Sequence, residues 1–388
     1  MKRVSRLSPG SFSCVLLGLA LVACQKSASP AAAPAATPAP AGPAPASVLL
    51  VTIDTLRADR VGAYGDKEAR TPALDALARD GVVFERAYTP APETLPAHTS
   101  IMTGLLPPAH GVRGNGGFAL GEETPVLATT LKAAGLKTAA FIGGFPLSRR
   151  YGLARGFDVY DDQLERAQGV HFDFAERPGS EVVAAATRWL ASNPGPVFVW
   201  VHLFDPHAPY APPASSAFAD AYRGEVAAAD AALATLMAVW NARPGANVVA
   251  ATSDHGEAFG EHGEWSHSLF VYDTTLRVPL ILRGGGLKAG ARVPVTVGLT
   301  DLAATLLDVS GAPAKLPGES LRGALAEGAR DRTLYAETLA PRFDFGWSEL
   351  RSLLDERWHY IEAPRSELYD VAGDPGEKKD LAPSLPPP

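Results

Sequence analysis

Cysteine is almost missing from this chain: two occur in 388 residues, Cys14 and Cys24. A disulfide framework is thereby excluded as the source of stability, which falls to an ordinary apolar core. Positive charge is not in excess either. With 35 Lys and Arg against 42 Asp and Glu, the formal net charge is −7, the wrong sign for a nucleic-acid footprint. Past residue 30 no apolar run approaches the roughly 20 residues needed to span a bilayer, and no repeat of solenoid period occurs. What remains is 46% hydrophobic and 20% charged, the composition of a globular body long enough for one large α/β unit and a smaller one.

The first 24 residues are made differently. Lys2, Arg3 and Arg6 form a basic start, "VLLGLALVA" a short apolar stretch, and "LVAC" ends at Cys24. That tetrapeptide resembles the lipobox of bacterial lipoprotein signals, which implies cleavage before Cys24 and lipidation of its thiol. Gln25 implies, by the same analogy, the outer rather than the inner membrane. An exported, membrane-anchored lipoprotein of the periplasm or cell surface is therefore expected, with Cys14 removed along with the signal. Residues 25–46 are a Pro/Ala-rich tether, semi-stiff because proline lacks an N–H and biases its predecessor toward extended backbone.

Folding signals begin at "SVLLVTID", a β-branched apolar run that reads as a strand buried on both faces. "TPALDALARDG" follows as a helix, with Thr71 as N-cap, Pro72 at its first position and Gly81 as terminator. "TPVLATTLKAAG" repeats the scheme over 124–135, and "KTAAFIGG" reads as the next strand. Helices are predicted over 181–192 and 222–240, strands in "PVFVWVHLF" and "NVVAATSD", and a further helix in "TDLAATLLDVSG". Strands alternating with helices predict a doubly wound, mostly parallel sheet over residues 47–315. From about 316 to 388 the pieces become short and aromatic, as in "TLYAET" and "RWHYIEA", which predicts a small C-terminal α+β subdomain with an antiparallel sheet.

Three of these strands run into residues that bind metals. The first ends at Asp54, the second leads to Asp205 and His207, and the third to Asp254 and His255. In open parallel sheets ligands bind beyond the carboxyl ends of the strands. A mixed carboxylate and imidazole set suits Zn²⁺ first, with Mn²⁺ or Ca²⁺ as alternatives. "ETLPAHTSIMTG", residues 93–104, has the outline of a turn entering a helix, and places Thr94 near a helix N-terminus that favours an anion. A hydroxyl there is either an N-cap or, beside a divalent ion, a nucleophile.

Five blocks occur in order: "VTIDTLRADRVGAYG", "TPALDALARDGVVFERAYTPAPETLPAHTSIMTG", "HLFDPHAPY", "TSDHGEAFGEHGEWSHS" and "ELYDVAGDPGEKKDLA". Together they resemble the sulfatase branch of the alkaline phosphatase superfamily across residues 47–383. The resemblance implies an alkaline-phosphatase-like fold and a metal-dependent ester hydrolase. Sulfatases carry Cys or Ser, then x-Pro-x-Arg, and convert the first residue to formylglycine. Here the matching positions are Thr94, Pro96 and His98, and threonine is not a known precursor of that aldehyde. A threonine nucleophile resembles instead the superfamily's phosphodiesterases. The sulfate-contacting lysine after "EHG-x-W" is likewise replaced, by His267.

The resemblance thus implies two divalent ions, most simply Zn²⁺. One is held by Asp54, Thr94, Asp254 and His255, the other by His267 with Asp205 or His207, where His207 binds metal or substrate. Asn115 in "GVRGNGG" matches an asparagine that contacts the oxyanion, unless it is a Gly-Asn turn, and His98 stands beside Thr94 in the catalytic set. The expected substrate is a phosphorus ester (phosphodiester, phosphomonoester or phosphonate ester), small or borne on a glycan or lipid, passing through a phospho-threonine. A sulfuric ester hydrolase without formylglycine and a non-catalytic binding lipoprotein are the alternatives.

Overall fold

In the first strand, alternate residues belong to opposite cores. Val48 and Leu50 pack into one apolar cluster, and Leu49, Val51 and Ile53 into the other. Side chains alternate across a strand, so a run with no polar face requires cover on both sides of the sheet. In the computed structural model, which describes residues 45–164, 175–212 and 220–384, helices provide that cover. Cys24, the signal-like segment and nearly all of the tether lie outside the described residues.

The strands of the main sheet are β1 (Ser47–Ile53), β2 (Val82–Tyr88), β3 (Lys137–Ile142), β4 (Val159–Asp161), β5 (Val197–Leu203), β6 (Asn247–Thr252), β7 (Arg277–Arg283) and β8 (Ala291–Gly298). Their order is β4-β3-β5-β1-β6-β7-β2-β8. All run parallel except β7, which is antiparallel to both β6 and β2. The doubly wound reading therefore holds, while β2, β4, β7 and β8 add to the strands read from the sequence. A second sheet is antiparallel, in the order β12-β11-β10-β9, from β9 (Leu334–Thr338), β10 (Leu350–Leu354), β11 (Trp358–Glu362) and β12 (Glu367–Asp370). Packing of the larger body runs on past residue 315, since Leu321 is buried in its core with Leu316, Ala324 and Leu325 against it.

Helices form at Pro72–Asp80, Gly179–Ala191, Ala221–Asn241 and Leu302–Ser310, close to the predicted spans. The first has a cap the sequence does not announce. The Thr71 hydroxyl accepts from Gly62 N–H and donates to Asp75 instead of capping. The orphan N–H groups of Ala73 and Leu74 go to the two carboxylate oxygens of Asp230, 2.9 Å each, on the long helix 221–241. The helix expected over 124–135 is shorter, Leu127–Ala133, because Val126 after Pro125 is still extended, with φ −126° and ψ 155°. No helix among the described residues is long and apolar enough to cross a membrane.

Candidate active site

β5, β1 and β6 are neighbours, so their carboxyl ends release Asp54 and Asp254 side by side. Asp54 N–H donates to Leu203 O at 2.9 Å, tying the end of β1 to that of β5. The next residue, Thr55, sits at φ 54°, a costly conformation for a β-branched side chain. It is held there by its hydroxyl to Pro206 O (3.1 Å) and by Tyr222 Oη donating to its carbonyl (2.8 Å), and its N–H then donates to Asp254 Oδ1 (3.3 Å).

Thr94 enters from another direction. It is the first residue of the helix Thr94–Thr103, every residue of which is buried. Such a polar helix can be buried because Thr99 and Thr103 return their hydroxyls to the carbonyls of Leu95 and Thr99, each at 2.7 Å. Gly104 ends it at φ 75°, where a Cβ would meet Pro317 O at 2.0 Å. The N-cap position belongs to Glu93, so the Thr94 hydroxyl is not a cap; Oγ1 lies 3.4 Å from His255 Nε2.

The expected row of free amides at this N-terminus is not there. Leu95 N–H is taken by Asn115 Oδ1 at 2.7 Å, and Pro96 has none. Asn115 N–H in turn donates to Glu93 Oε2 at 3.0 Å, and burial pushes the Glu93 carboxyl up to about 7. The asparagine is thus built into the helix start, with its Nδ2 donors left over.

Asp54, Asp254 and His255 are fully buried, and their ligand atoms lie within 4.8 Å of one another. Both oxygens of Asp54 and Oδ2 of Asp254 have no hydrogen-bond donor. Burial, then Asp254 and Glu257, push the Asp54 carboxyl well above its ordinary range; burial likewise raises Asp254, against the pull of His98. His255 Nδ1–H donates to Gly256 O at 3.0 Å, which turns the Nε2 lone pair toward the carboxylates, and burial holds its pKa far below the ordinary value. Uncompensated buried carboxylates facing an imidazole lone pair fit a divalent cation.

The second expected ion site is not assembled in this way. Among the described residues, no group with ligand atoms that close includes Asp205, His207 or His267. Asp205 Oδ2 accepts from Gly179 N–H at 2.8 Å, capping the start of a helix. His207 stacks on Phe204 with ring centroids 4.3 Å apart, gives Nδ1–H to Ala208 O, and meets His267 edge-on at 5.2 Å; burial lowers its pKa to about 4. His267 Nδ1 lies 3.0 Å from Glu257 Oε1, while Tyr210 Oη donates to Glu257 Oε2 at 2.7 Å. Burial works against a charged His267, but Glu257, with Asp254 and Glu264 behind it, more than offsets burial and raises the pKa above its ordinary value. His262 stacks on Tyr272 at 3.6 Å.

His98 donates Nδ1–H to Thr94 O (2.8 Å), lies 3.4 Å from Asp254 Oδ2, and has Nε2 2.9 Å from Thr52 Oγ1. Glu257, Tyr210, Thr52 and His202 were not singled out from the sequence. The signal for the last two is a polar residue inside an otherwise apolar buried strand, and in the sheet they are register partners. The C-terminal sheet also reaches the site: Glu337 on β9 holds Arg113 of the Asn115 loop through two 2.6 Å bonds, and Thr338 donates its hydroxyl to the carbonyl of Ser268, next to His267.

The sulfatase family model matches residues 46–312, more than half of the chain. The protein belongs to the sulfatase family. It is similar to the Δ4,5-hexuronate-2-O-sulfatase of Bacteroides thetaiotaomicron, 24% identical over 409 aligned residues covering 86% of this chain and 84% of that one. A second relative is the ulvan-active sulfatase of Formosa agariphila, 25% identical over 87% of this chain and 77% of that one. Among solved structures, the phosphonate monoester hydrolase of Agrobacterium radiobacter shares the fold with TM-score 0.69 and 23% identity, covering 88% of this chain and 92% of that one. The alkaline-phosphatase-like architecture is thereby shared with sulfatases and phosphonate monoester hydrolases alike.

Proposed function

We propose that this sulfatase-family protein hydrolyses phosphorus esters (phosphodiester, phosphomonoester or phosphonate ester) in a metal-dependent reaction with Thr94 as nucleophile. One observation carries the reading: the Thr94 hydroxyl at the start of a buried helix faces His255 Nε2 beside two buried carboxylates, Asp54 and Asp254, three of whose four oxygens lack a hydrogen-bond donor. Asp54, Asp254 and His255 would hold a divalent ion, Zn²⁺ or Mn²⁺ by donor type, with Thr94 Oγ1 adjacent. When bound, the ion supplies charge that neutralises phosphoryl oxygens and lowers the pKa of a neighbouring hydroxyl.

The chain's own groups do the rest. Thr94 Oγ1 forms a bond to phosphorus as the bond to the leaving alcohol oxygen breaks. The Thr94 proton passes to solvent, and the leaving oxygen takes one from His267, which Glu257 orients and whose protonated form it favours. Asn115, its Oδ1 occupied by Leu95 N–H, gives Nδ2–H to an equatorial oxygen. Water then adds to phosphorus as its proton passes to the now neutral His267, the bond to Thr94 breaks, and Thr94 Oγ1 takes a proton from solvent, so both groups return to their starting state.

A second reading, hydrolysis of a sulfuric ester without formylglycine, is favoured by the sulfatase relatives. Turnover of matched aryl phosphate, phosphodiester, phosphonate and sulfate esters separates the two. The expected result is faster turnover of a phosphorus ester, lost in Thr94→Ala; sulfate turnover above every phosphorus ester would overturn the proposal. The substrate body is a small molecule or a glycan- or lipid-borne ester. For location, "LVAC" at Cys24 supports export and a lipid anchor, and Gln25 the outer membrane; radiolabelled fatty-acid incorporation into Cys24 tests the anchor.

A further inference from the structure

One buried hydroxyl joins the two sides of the site from beneath. Thr52 Oγ1 lies 3.0 Å from Trp200 Nε1, 2.9 Å from His98 Nε2 and 3.3 Å from His202 Nδ1, and all four residues are fully buried. Beyond Thr52 each histidine reaches a different carboxylate. His98 Nδ1 is 3.4 Å from Asp254 Oδ2, and His202 Nε2 is 3.5 Å from Asp54 Oδ2. Asp54 and Asp254 are thus connected through two imidazole rings and a single oxygen.

A hydroxyl has one proton to give and two lone pairs to receive with. Trp200 N–H is always a donor and fills one lone pair. Thr52 is left with one proton and one lone pair for two ring nitrogens, so one histidine must accept from it and the other must donate to it. The environment decides which. His98 Nδ1 faces two acceptors, Thr94 O and Asp254 Oδ2, and therefore carries its proton; its Nε2 then receives the Thr52 proton. His202 must then give Nδ1–H to Thr52, which leaves Nε2 bare and turned on Asp54 Oδ2. Both atoms are buried and neither has a donor. Two opposed lone pairs in a closed space are an arrangement that a cation beside Asp54 relieves.

We infer that Thr52 is a positioning residue of the ion site: its hydroxyl fixes the tautomers of His98 and His202, and through them the orientation of Asp254 and Asp54. The inference rests on the proposal that Asp54, Asp254 and His255 hold a divalent ion. None of the family blocks read from the sequence gives Thr52 or His202 a role.

The test is Zn²⁺ affinity of the purified protein by competition with a chromophoric chelator, repeated with Mn²⁺, alongside the Tm of the metal-free form. Thr52→Val keeps shape and removes the hydroxyl; it is expected to weaken Zn²⁺ binding by about 10- to 100-fold, the usual effect of losing an outer partner of a metal ligand. Thr52→Ser restores the hydroxyl and is expected to restore the affinity. His202→Gln removes the imidazole between Thr52 and Asp54 while leaving the Thr52 hydroxyl in place, and is expected to weaken binding in the same range. Combined with Thr52→Val it should add little, because both changes break one bridge. Unchanged affinity in Thr52→Val, equal loss in Thr52→Val and Thr52→Ser, or fully additive losses would overturn the inference. A wild-type protein that takes up neither ion would instead overturn the ion site itself.

Discussion

Thr94 Oγ1 and His255 Nε2 lie 3.4 Å apart although 161 residues separate them in the chain. The contact exists because a buried helix begins at Thr94 and the strand ending before Asp254 delivers its histidine to the same point. Removing the hydroxyl should remove the chemistry and leave the fold. Thr94→Ala is expected to lower kcat by about 10³-fold or more with a Tm near that of wild type, while Thr94→Ser keeps measurable turnover. Steady-state kinetics with thermal melts check this.

Removing the ion should cost both activity and stability. With free Zn²⁺ at about 100 times its Kd, the folded state gains roughly 2.7 kcal/mol, so chelation lowers Tm and re-addition restores it. Asp54→Asn should behave in the opposite sense. It removes a buried carboxyl whose ionisation burial and the neighbouring Asp254 and Glu257 oppose, so its metal-free Tm rises while its response to Zn²⁺ disappears. Differential scanning calorimetry with and without chelator reads both effects.

Asn115 is held from two sides, by Leu95 N–H through its own side chain and by the Arg113–Glu337 pair through its loop. Asn115→Ala is expected to lower kcat by about 10²- to 10³-fold, the typical loss for one oxyanion donor. Glu337→Gln, which weakens the hold on the loop without entering the site, should lower kcat by a smaller factor. The ratio of the two kcat values, measured on one substrate, checks the order.

Acid stability has an identifiable contributor away from the ion site. His110 accepts Val112 N–H at Nδ1 and gives Nε2–H to Ser100 Oγ, and burial lowers its pKa from 6.5 to about 4. Between those values the unfolded chain binds a proton that the folded chain refuses. Stability therefore falls as pH drops from 6.5 toward 4, by on the order of 3 kcal/mol, and is unaffected by this group above 6.5. In urea titrations across that window, His110→Gln should show a flatter pH dependence than wild type.

The shared cap of Asp230 gives a purely structural prediction. Asp230→Ala should destabilise by about 1–3 kcal/mol, since two orphan N–H groups of the helix Pro72–Asp80 lose their acceptor together. Chemical denaturation of the variant measures it.

These features differ in how far the sequence announces them. Asp54, Asp254 and His255 were legible because each follows an apolar strand, and a parallel sheet gathers such ends. Thr94 was legible as lying near a helix N-terminus, since Pro96 and the helix-like stretch after it follow directly. Local pattern carries no information about which distant group satisfies a donor. That is why Asp230 rather than Thr71 caps a helix, why Asn115 consumes the amide expected to face an anion, and why Asp205 turns to Gly179 instead of to His267. Thr52 and His202 sit within apolar strands, where one polar residue reads as an exception until the register pairs them. β7 is a dense apolar strand whose reversed direction no composition reveals.

The central claim is that Thr94 bonds to phosphorus, and the most direct measurement is peptide mass mapping after acid quench of the working enzyme on an aryl phosphate ester. One phosphoryl group is expected on the peptide that carries Thr94, appearing during turnover, disappearing when substrate is exhausted, and missing in Thr94→Ala. Turnover of the ester with Thr94 unmodified at every time point, and undiminished in Thr94→Ala, would contradict it.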